Sequence, residues 1–309
     1  AQLTGLSIST CGNIMRELLA SGELIAGDMA PSQGGRPSKL YLYNADTRLA
    51  LAISLVANGT FNQIEIAVVN LSGNILVRES YIQPLSQLSF EFLDSLIQKQ
   101  FENTPQIQAI GIGIPGMVVH GEVLYCDIPN LEQLNLRDLL QDKYHVKVLI
   151  DNEMHFKTFG YYQTHDTANL KNCALLNAPE NYTYGAGFIV NGHLLRGNAN
   201  FSGEINYLPY VSSREELIAQ CSRDDTFVDL ISKVIISIIT IVDPKYLILC
   251  GFRFTSALVD QIRERLASVL PAKLLPELVL QPDISDEYLT GIITVICNLI
   301  TEKEPYAVE

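Results

Sequence analysis

The sequence predicts an α/β protein of two lobes, preceded by a small helix-and-hairpin segment. Two observations carry that expectation. Downstream of residue 47, short apolar runs of strand type alternate with longer helical stretches, and the runs end in glycine turns. Upstream, one amphipathic helix leads into two short strands around a basic, Gly-rich loop.

The N-terminal helix is read first. Thr4-Gly5-Leu6-Ser7 is a turn with Ser7 placed as N-cap. Cys11, Ile14, Met15, Leu18 and Leu19 then repeat at helical spacing, and Gly22 suits the stop. The opposite face carries Ser9, Thr10, Asn13 and Arg16, side chains suited to base edges and phosphates. Strands are expected over 23–26 and 40–43. The loop between them holds Gly34-Gly35-Arg36-Pro37 and Lys39, with Arg36 and Lys39 placed to grip a minor groove or phosphate. An ordinary helix with a solvated hairpin loop would share this pattern.

In the body, strands are expected over 49–56, 61–71 and 75–81, with turns at Asn58-Gly59 and Ser72-Gly73-Asn74. A helix over 90–101 precedes a buried strand ending in Gly113-Ile114-Pro115-Gly116, read as a tight turn. A helix over 137–144 leads to a strand over 146–150 that delivers Asp151, Asn152 and Glu153 to its C-terminal end, where open α/β sheets bind ligands. Strands over 174–177 and 185–190, a long apolar helix over 226–242, a strand over 246–250, a helix over 256–270, a strand over 279–281 and a helix over 286–300 complete the chain. Asp283, Ser285, Asp286 and Glu287 read as a cap and first-turn acids of that last helix.

Composition bounds the function. The chain has 309 residues, 48% hydrophobic and 18% charged, enough for a large core and two or three domains. Its most apolar run, 234–242, is about half a membrane span and sits between Lys233 and Asp243, so a buried helix and a soluble, cytoplasmic protein without a signal peptide are expected. Six scattered cysteines and five dispersed histidines predict free thiols and no metal site. The net charge of −13 excludes a protein that coats nucleic acid, yet the first fifty residues are balanced, four basic against four acidic. DNA contact is therefore expected only at the N-terminus.

The turns, taken in order, resemble the ROK family of repressors, open reading frames and kinases. The resemblance rests on the 4–7 and 34–37 motifs, Ile112-Gly113-Ile114-Pro115-Gly116, Pro129-Asn130-Leu131, Asn152-Glu153, Gly185-Ala186-Gly187, the stretch from Asn191-Gly192 to Arg196-Gly197-Asn198, Gly203-Glu204-Ile205, and Asp243-Pro244 leading to Gly251. It implies the actin-like (ribonuclease H-like) sugar-kinase fold behind a partial winged helix-turn-helix. It also implies three parts: 1–46 for DNA, 47–150 with 286–309 as a small lobe, and 151–285 as a large lobe. The chain opens at what would be the second helix of the DNA module, which on this reading weakens its hold on an operator. By resemblance the sugar pocket is Gly116, Asn130, Asn152, Glu153, Glu204 and Tyr207, and the protein is a homodimer.

Departures from the family pattern point away from catalysis. The first phosphate turn, Asp-x-Gly-Gly-Thr in kinases, falls on the 54–60 stretch Ser-Leu-Val-Ala-Asn-Gly-Thr. The second, Gly-Thr-Gly, falls on Asn181-Tyr182-Thr183, and a Gly-Gly pair becomes Gly251-Phe252. Glu153 takes the place of the catalytic Asp and is expected to be inactive, although Glu is itself a competent base. Tyr207 replaces the zinc-binding His, and the family's Cys cluster is missing. The expectation is a non-enzymatic transcriptional regulator, most simply a repressor, without a cofactor, controlled by a sugar or sugar-phosphate between its lobes. An active sugar kinase and a regulator without a small ligand remain the alternatives.

Overall fold

The computed structural model describes residues 1–29, 39–59, 61–165, 168–179 and 183–302. Arg36, Thr60, Asn181 and Tyr182 of the motifs above lie outside them.

Helix α1 (Ile8–Ala20) starts where the Ser7 hydroxyl accepts the amide of Thr10 and stops at Ser21, followed by Gly22 at φ +80°. Strands β1 (Leu24–Met29) and β2 (Lys39–Tyr43) pair antiparallel behind it. No residue of α1 is fully buried, and the apolar stripe is only half covered.

The next strands are β3 (Leu49–Ala57), β4 (Phe61–Asn70) and β5 (Ile75–Pro84). After α2 (Phe90–Asn103) comes β6 (Ile107–Ile114), then a hairpin of β7 (Gly116–Val119) and β8 (Glu122–Cys126), helix α3 (Leu136–Tyr144) and β9 (Lys147–Asn152). The main sheet runs β5-β4-β3-β6-β9, with β3, β6 and β9 mutually parallel and β4 antiparallel to both neighbours. Central β3 is apolar almost throughout, as a strand covered on both faces must be. Leu51, Ile53 and Leu55 face α2 and α3, while the small Ala50 and Ala52 face the opposite helix layer.

Helix α4 (Glu153–Thr164) crosses to the second sheet, built from β10 (Cys173–Asn177), β11 (Gly185–Val190) and β12 (His193–Leu194). Helices α5 (Arg214–Cys221) and α6 (Asp224–Val242) lead to β13 (Tyr246–Cys250), α7 (Ser256–Val269), β14 (Glu277–Gln281) and the last helix α8 (Ser285–Thr301). This sheet runs β12-β11-β10-β13-β14. Both sheets thus order an antiparallel three-strand meander and then add two parallel strands beside its first strand.

Helices α4 and α8 lie between the sheets. Phe156 of α4 joins Tyr288, Ile292 and Ile296 of α8 under the first sheet, whereas Met154 and Tyr161 pack beneath the second. The two helices touch backbone to backbone: a Cβ on Gly160 would strike the Glu287 carbonyl, and one on Gly291 would strike that of Phe156. The apolar α6 packs with α7 on the outer face of the second sheet. Among the described residues no helix is long and apolar enough to cross a membrane. Four of the six cysteines, Cys126, Cys173, Cys221 and Cys250, are buried.

The structure adds helix α4 and strand β12 to the elements expected from the sequence, and it differs at one turn. Pro115-Gly116 does not close a tight turn; it feeds the β7–β8 hairpin, and a Cβ on Gly116 would meet the Tyr125 carbonyl of the opposite strand.

Candidate functional site

Strand β9 is parallel-paired and buried, and its last two residues are polar, so the sheet presents Asp151 and Asn152 at its C-terminal edge. Asn152 has two tasks. Its Oδ1 accepts the Met154 amide (2.6 Å), capping α4, and its Nδ2 donates to Glu204 Oε1 across the cleft (2.9 Å). Capping α4 and reaching across the cleft are therefore compatible in this one residue. Glu204 follows Gly203, whose φ of +95° and closeness to the Ala186 carbonyl admit only glycine. Burial pushes the Glu204 carboxyl above its ordinary value.

Behind this pair lies a buried network. Asp151, 1% exposed, accepts from His155 Nδ1 (2.9 Å), Asn200 Nδ2 (2.9 Å) and the Asn152 amide (2.8 Å), and pairs with Arg196 (2.7 Å). Burial alone would raise its carboxyl, but His155, Arg196 and Asn200 outweigh it and hold the group well below the usual carboxylate range. Asn200 also donates to the Val118 carbonyl of β7 (2.9 Å), so the 196–204 loop is tied to the β7–β8 hairpin.

Two cavities open from this edge. The smaller, about 70 Å³, is lined by Gly116, Tyr125, Asp127, Asn152, Glu153, Thr183, Glu204, Asn206 and Arg214. Carboxylates and amides at fixed angles suit the vicinal hydroxyls of a sugar, because a mismatched buried group costs about 1–3 kcal/mol. The larger, about 320 Å³, is lined by Ser54, Asn58, Phe61, Gln63, Glu65, Glu153, Lys157, Phe252, Asp283 and Tyr288. Glu153 belongs to both walls. Its Oε2 accepts from Lys157 Nζ (2.8 Å), one turn along α4, and that ammonium lies over the Tyr288 ring, 5.2 Å from its centroid.

Four of the six residues expected in the pocket come together: Gly116, Asn152, Glu153 and Glu204. Two do not. Asn130 donates instead to the backbone carbonyls of Ser86 and Leu88 (both 3.2 Å), bracing a loop. Tyr207 is 65% exposed and leans on Phe201, with ring centroids 5.3 Å apart. Sequence reasoning missed Tyr125, Asp127, Asn206 and Arg214. Of these, only Asn206 carried a local signal, as the neighbour of Tyr207 in the altered zinc motif.

Of the residues expected to meet DNA, Ser9, Thr10, Asn13, Arg16 and Lys39 are exposed. Ser9 and Thr10 share the Ser7 hydroxyl (2.8 Å each), and Arg16 donates to Asn13 and to the Gly12 carbonyl. Lys39 lies over the Tyr41 ring, 5.7 Å from its centroid. Arg36 falls outside the described residues.

Comparison with known proteins places these features. The chain is 27% identical over 216 residues to a xylose repressor of Caldicellulosiruptor bescii, covering 67% of this chain and 53% of that protein. It is 24% identical over 222 residues to the Bacillus subtilis xylose repressor, covering 67% and 54%. The chain thus spans about half the length of the curated relatives it matches. Among solved structures it resembles a ROK family transcriptional regulator, a homologue of the E. coli MLC protein (16% identity, TM-score 0.61, 96% of this chain and 92% of that one). It also resembles a ROK glucokinase from Streptomyces griseus solved with glucose and AMPPNP (15%, TM-score 0.61, 80% and 98%) and a ROK hexokinase from Thermus thermophilus (14%, TM-score 0.62, 82% and 99%). The fold is the actin-like α/β fold of these kinases and regulators. The ROK family pattern matches residues 58–225, more than half of the sequence, and the chain belongs to the ROK family.

Proposed function

We propose that this chain is the sugar-sensing part of a transcription repressor, that it binds its effector in the Asn152–Glu204 cavity, and that it does not transfer phosphate. The observation that carries the reading is the Lys157–Glu153 pair. The carboxylate at the kinase base position is bonded to an ammonium 2.8 Å away, that of Lys157, which lines the larger cavity and not the smaller one. One of that carboxylate's two oxygens is thereby engaged by Lys157 rather than by a sugar hydroxyl.

The larger cavity supports the same reading. A triphosphate entering there would meet Glu65, Glu153 and Asp283, with Lys157 already paired and the Phe252 ring standing 69% exposed beside Gly251. Like charges in a partly dry cleft are costly to a polyanion. The xylose repressors among the relatives support a pentose or related sugar as effector. On this reading Ser9, Thr10, Asn13 and Arg16 of α1, with Arg36 and Lys39, face an operator, and a cytoplasmic homodimer couples the sugar cavity to it.

The test uses purified protein, D-xylose and a panel of hexoses, amino sugars and their phosphates. At least one sugar raises the unfolding midpoint, and none stimulates ADP formation from MgATP. Sugar-dependent ADP production overturns the loss of catalysis. No shift with any sugar overturns the sensing role.

A further inference from the structure

The two hydrophobic cores are bridged at the mouth of the smaller cavity by three residues that no motif predicted. Asp127 follows β8, whose Cys126 is buried in the core of the first sheet, and its backbone amide donates to the Pro115 carbonyl (2.9 Å). Arg214 is the first residue of α5, whose Leu217 and Cys221 are buried in the core of the second sheet. The Arg214 guanidinium reaches across to Asp127 Oδ1 (2.6 Å) and lies over the Tyr125 ring, 5.3 Å from its centroid. The Tyr125 hydroxyl donates to the same Asp127 oxygen (3.3 Å). All three line the cavity that holds Asn152 and Glu204.

We propose that Arg214, Asp127 and Tyr125 form a clasp that holds the two lobes shut over the sugar cavity and offers the guanidinium and carboxylate to the ligand's hydroxyls. The inference rests on the sugar reading of that cavity for its ligand, but not for the clasp itself. The physical case is direct. Each partner is fixed to a different core, so the ion pair exists only while the lobes are close. Among the described residues Arg214 is also the one cation lining a cavity that contains Asp127, Glu153 and Glu204, so its withdrawal would make that lining more negative. A planar guanidinium over an aromatic ring is preorganised to hold that position and still donate hydrogen bonds at its edge. Opening the clasp lowers the fraction of binding-competent protein and weakens the apparent affinity in proportion.

The pair is only partly buried, with Arg214 35% and Asp127 17% exposed at the side chain, so added salt should loosen it. That supplies a signature no neutral ligand has by itself. The experiment titrates D-xylose into wild type, Arg214→Ala, Asp127→Ala, Arg214→Lys and the exchanged pair Asp127→Arg/Arg214→Asp, at low and high NaCl. It also follows hydrogen exchange of 122–128 and 212–218 in the sugar-free proteins. Wild-type affinity should fall as salt rises. Each alanine variant should bind about tenfold more weakly, ~1.4 kcal/mol, and without salt dependence. Arg214→Lys should lie between, and the exchanged pair should recover most of the loss. Without sugar, both segments should exchange faster in the alanine variants and regain protection in the exchanged pair.

Unchanged exchange in the alanine variants overturns the clasp, whatever the sugar data show. Salt-sensitive binding that persists in Arg214→Ala, or an exchanged pair no better than the single variants, does the same. Faster exchange in the alanine variants together with no D-xylose binding by wild type would leave the clasp standing and overturn its role toward that sugar.

Discussion

Replacing Asp151 by alanine tests the buried network on which both cavities rest. In the native protein this carboxylate satisfies His155, Asn200, the Asn152 amide and Arg196, and is itself 1% exposed. Removing it takes this charged acceptor from Arg196, 14% exposed at the side chain, and from His155, 1% exposed. Breaking a buried ion pair from one side costs about 3–5 kcal/mol. At about 2 °C per kcal/mol, the low end for a chain longer than 250 residues, the midpoint should drop by roughly 8 °C at neutral pH. Asp151→Asn keeps the volume and one acceptor and should lose about half as much. The pH dependence has a fixed sign. Because the folded carboxyl titrates below its ordinary value, its stabilisation is complete above the unfolded value of about 3.9 and fades as pH falls through the folded one. Wild type and Asp151→Ala should therefore converge below about pH 4. Thermal and urea unfolding followed by circular dichroism between pH 3 and 8 measure this. A loss under about 1 kcal/mol at pH 7, or a gap that does not narrow on acidification, refutes the reasoning.

Two other perturbations follow from single contacts. Glu204→Gln retains an acceptor for Asn152 but removes a charge that burial penalises. Because the folded carboxyl titrates above its ordinary value, the sugar-free variant should be at least as stable as wild type at pH 8, the difference vanishing below about pH 4; sugar affinity should nevertheless fall tenfold or more in calorimetry. Gly160→Ala pushes a methyl into the Glu287 carbonyl, an obstacle that is backbone and cannot rotate away, so a loss of about 3 kcal/mol or outright insolubility is expected. Gly12→Ala, with nothing within 4 Å in mid-helix, should be neutral or stabilising by about 0.5–1 kcal/mol, as soluble yield and unfolding midpoints will show.

The strands and outer helices were legible because their patterns are local. Tyr246–Cys250 and Gly185–Val190 have the expected bounds, and α1 starts and stops at the cap and glycine expected of it. Helix α4 carried no such pattern. It is buried on both sides, with Met154, Phe156, Lys157, Gly160 and Tyr161 all inside, and a helix wrapped on all sides has no polar face to mark its period. The β7–β8 hairpin was hidden behind Pro115-Gly116, which reads as a turn when its partner strand is unknown. The site shows the same division. Asn152 was found at the end of a buried strand and Glu204 through the Gly203-Glu204-Ile205 motif, whereas Asp127 and Arg214 stand 87 positions apart and meet only because two separate cores bring them together. Asn130 and Tyr207 were placed in the pocket by position in a motif. Position within a motif says where the backbone passes, not which way the side chain turns.

On the proposed reading, that distinction also bears on how a kinase fold serves as a sensor without transferring phosphate. Glu153 occupies the position of a base, at the first turn of α4, but Lys157 one turn later decides what the carboxylate does. The ammonium is held in turn by the Tyr288 ring, whose hydroxyl donates to the Leu55 carbonyl of β3 (3.2 Å) and whose phenol burial pushes well above its ordinary value. Lys157 is therefore built into the contact between α4, α8 and the first sheet rather than draped across a cleft. Removing it would free Glu153 without restoring transfer, since Glu65, Asp283 and the Phe252 ring would still line the path of a triphosphate. Several independent features would have to revert together, while the Asn152–Glu204 contact needs none of them. On the proposed reading a sugar cavity is retained while the phosphate side holds side chains, although the two cavities share Ala57, Glu153, Asn177 and Pro179.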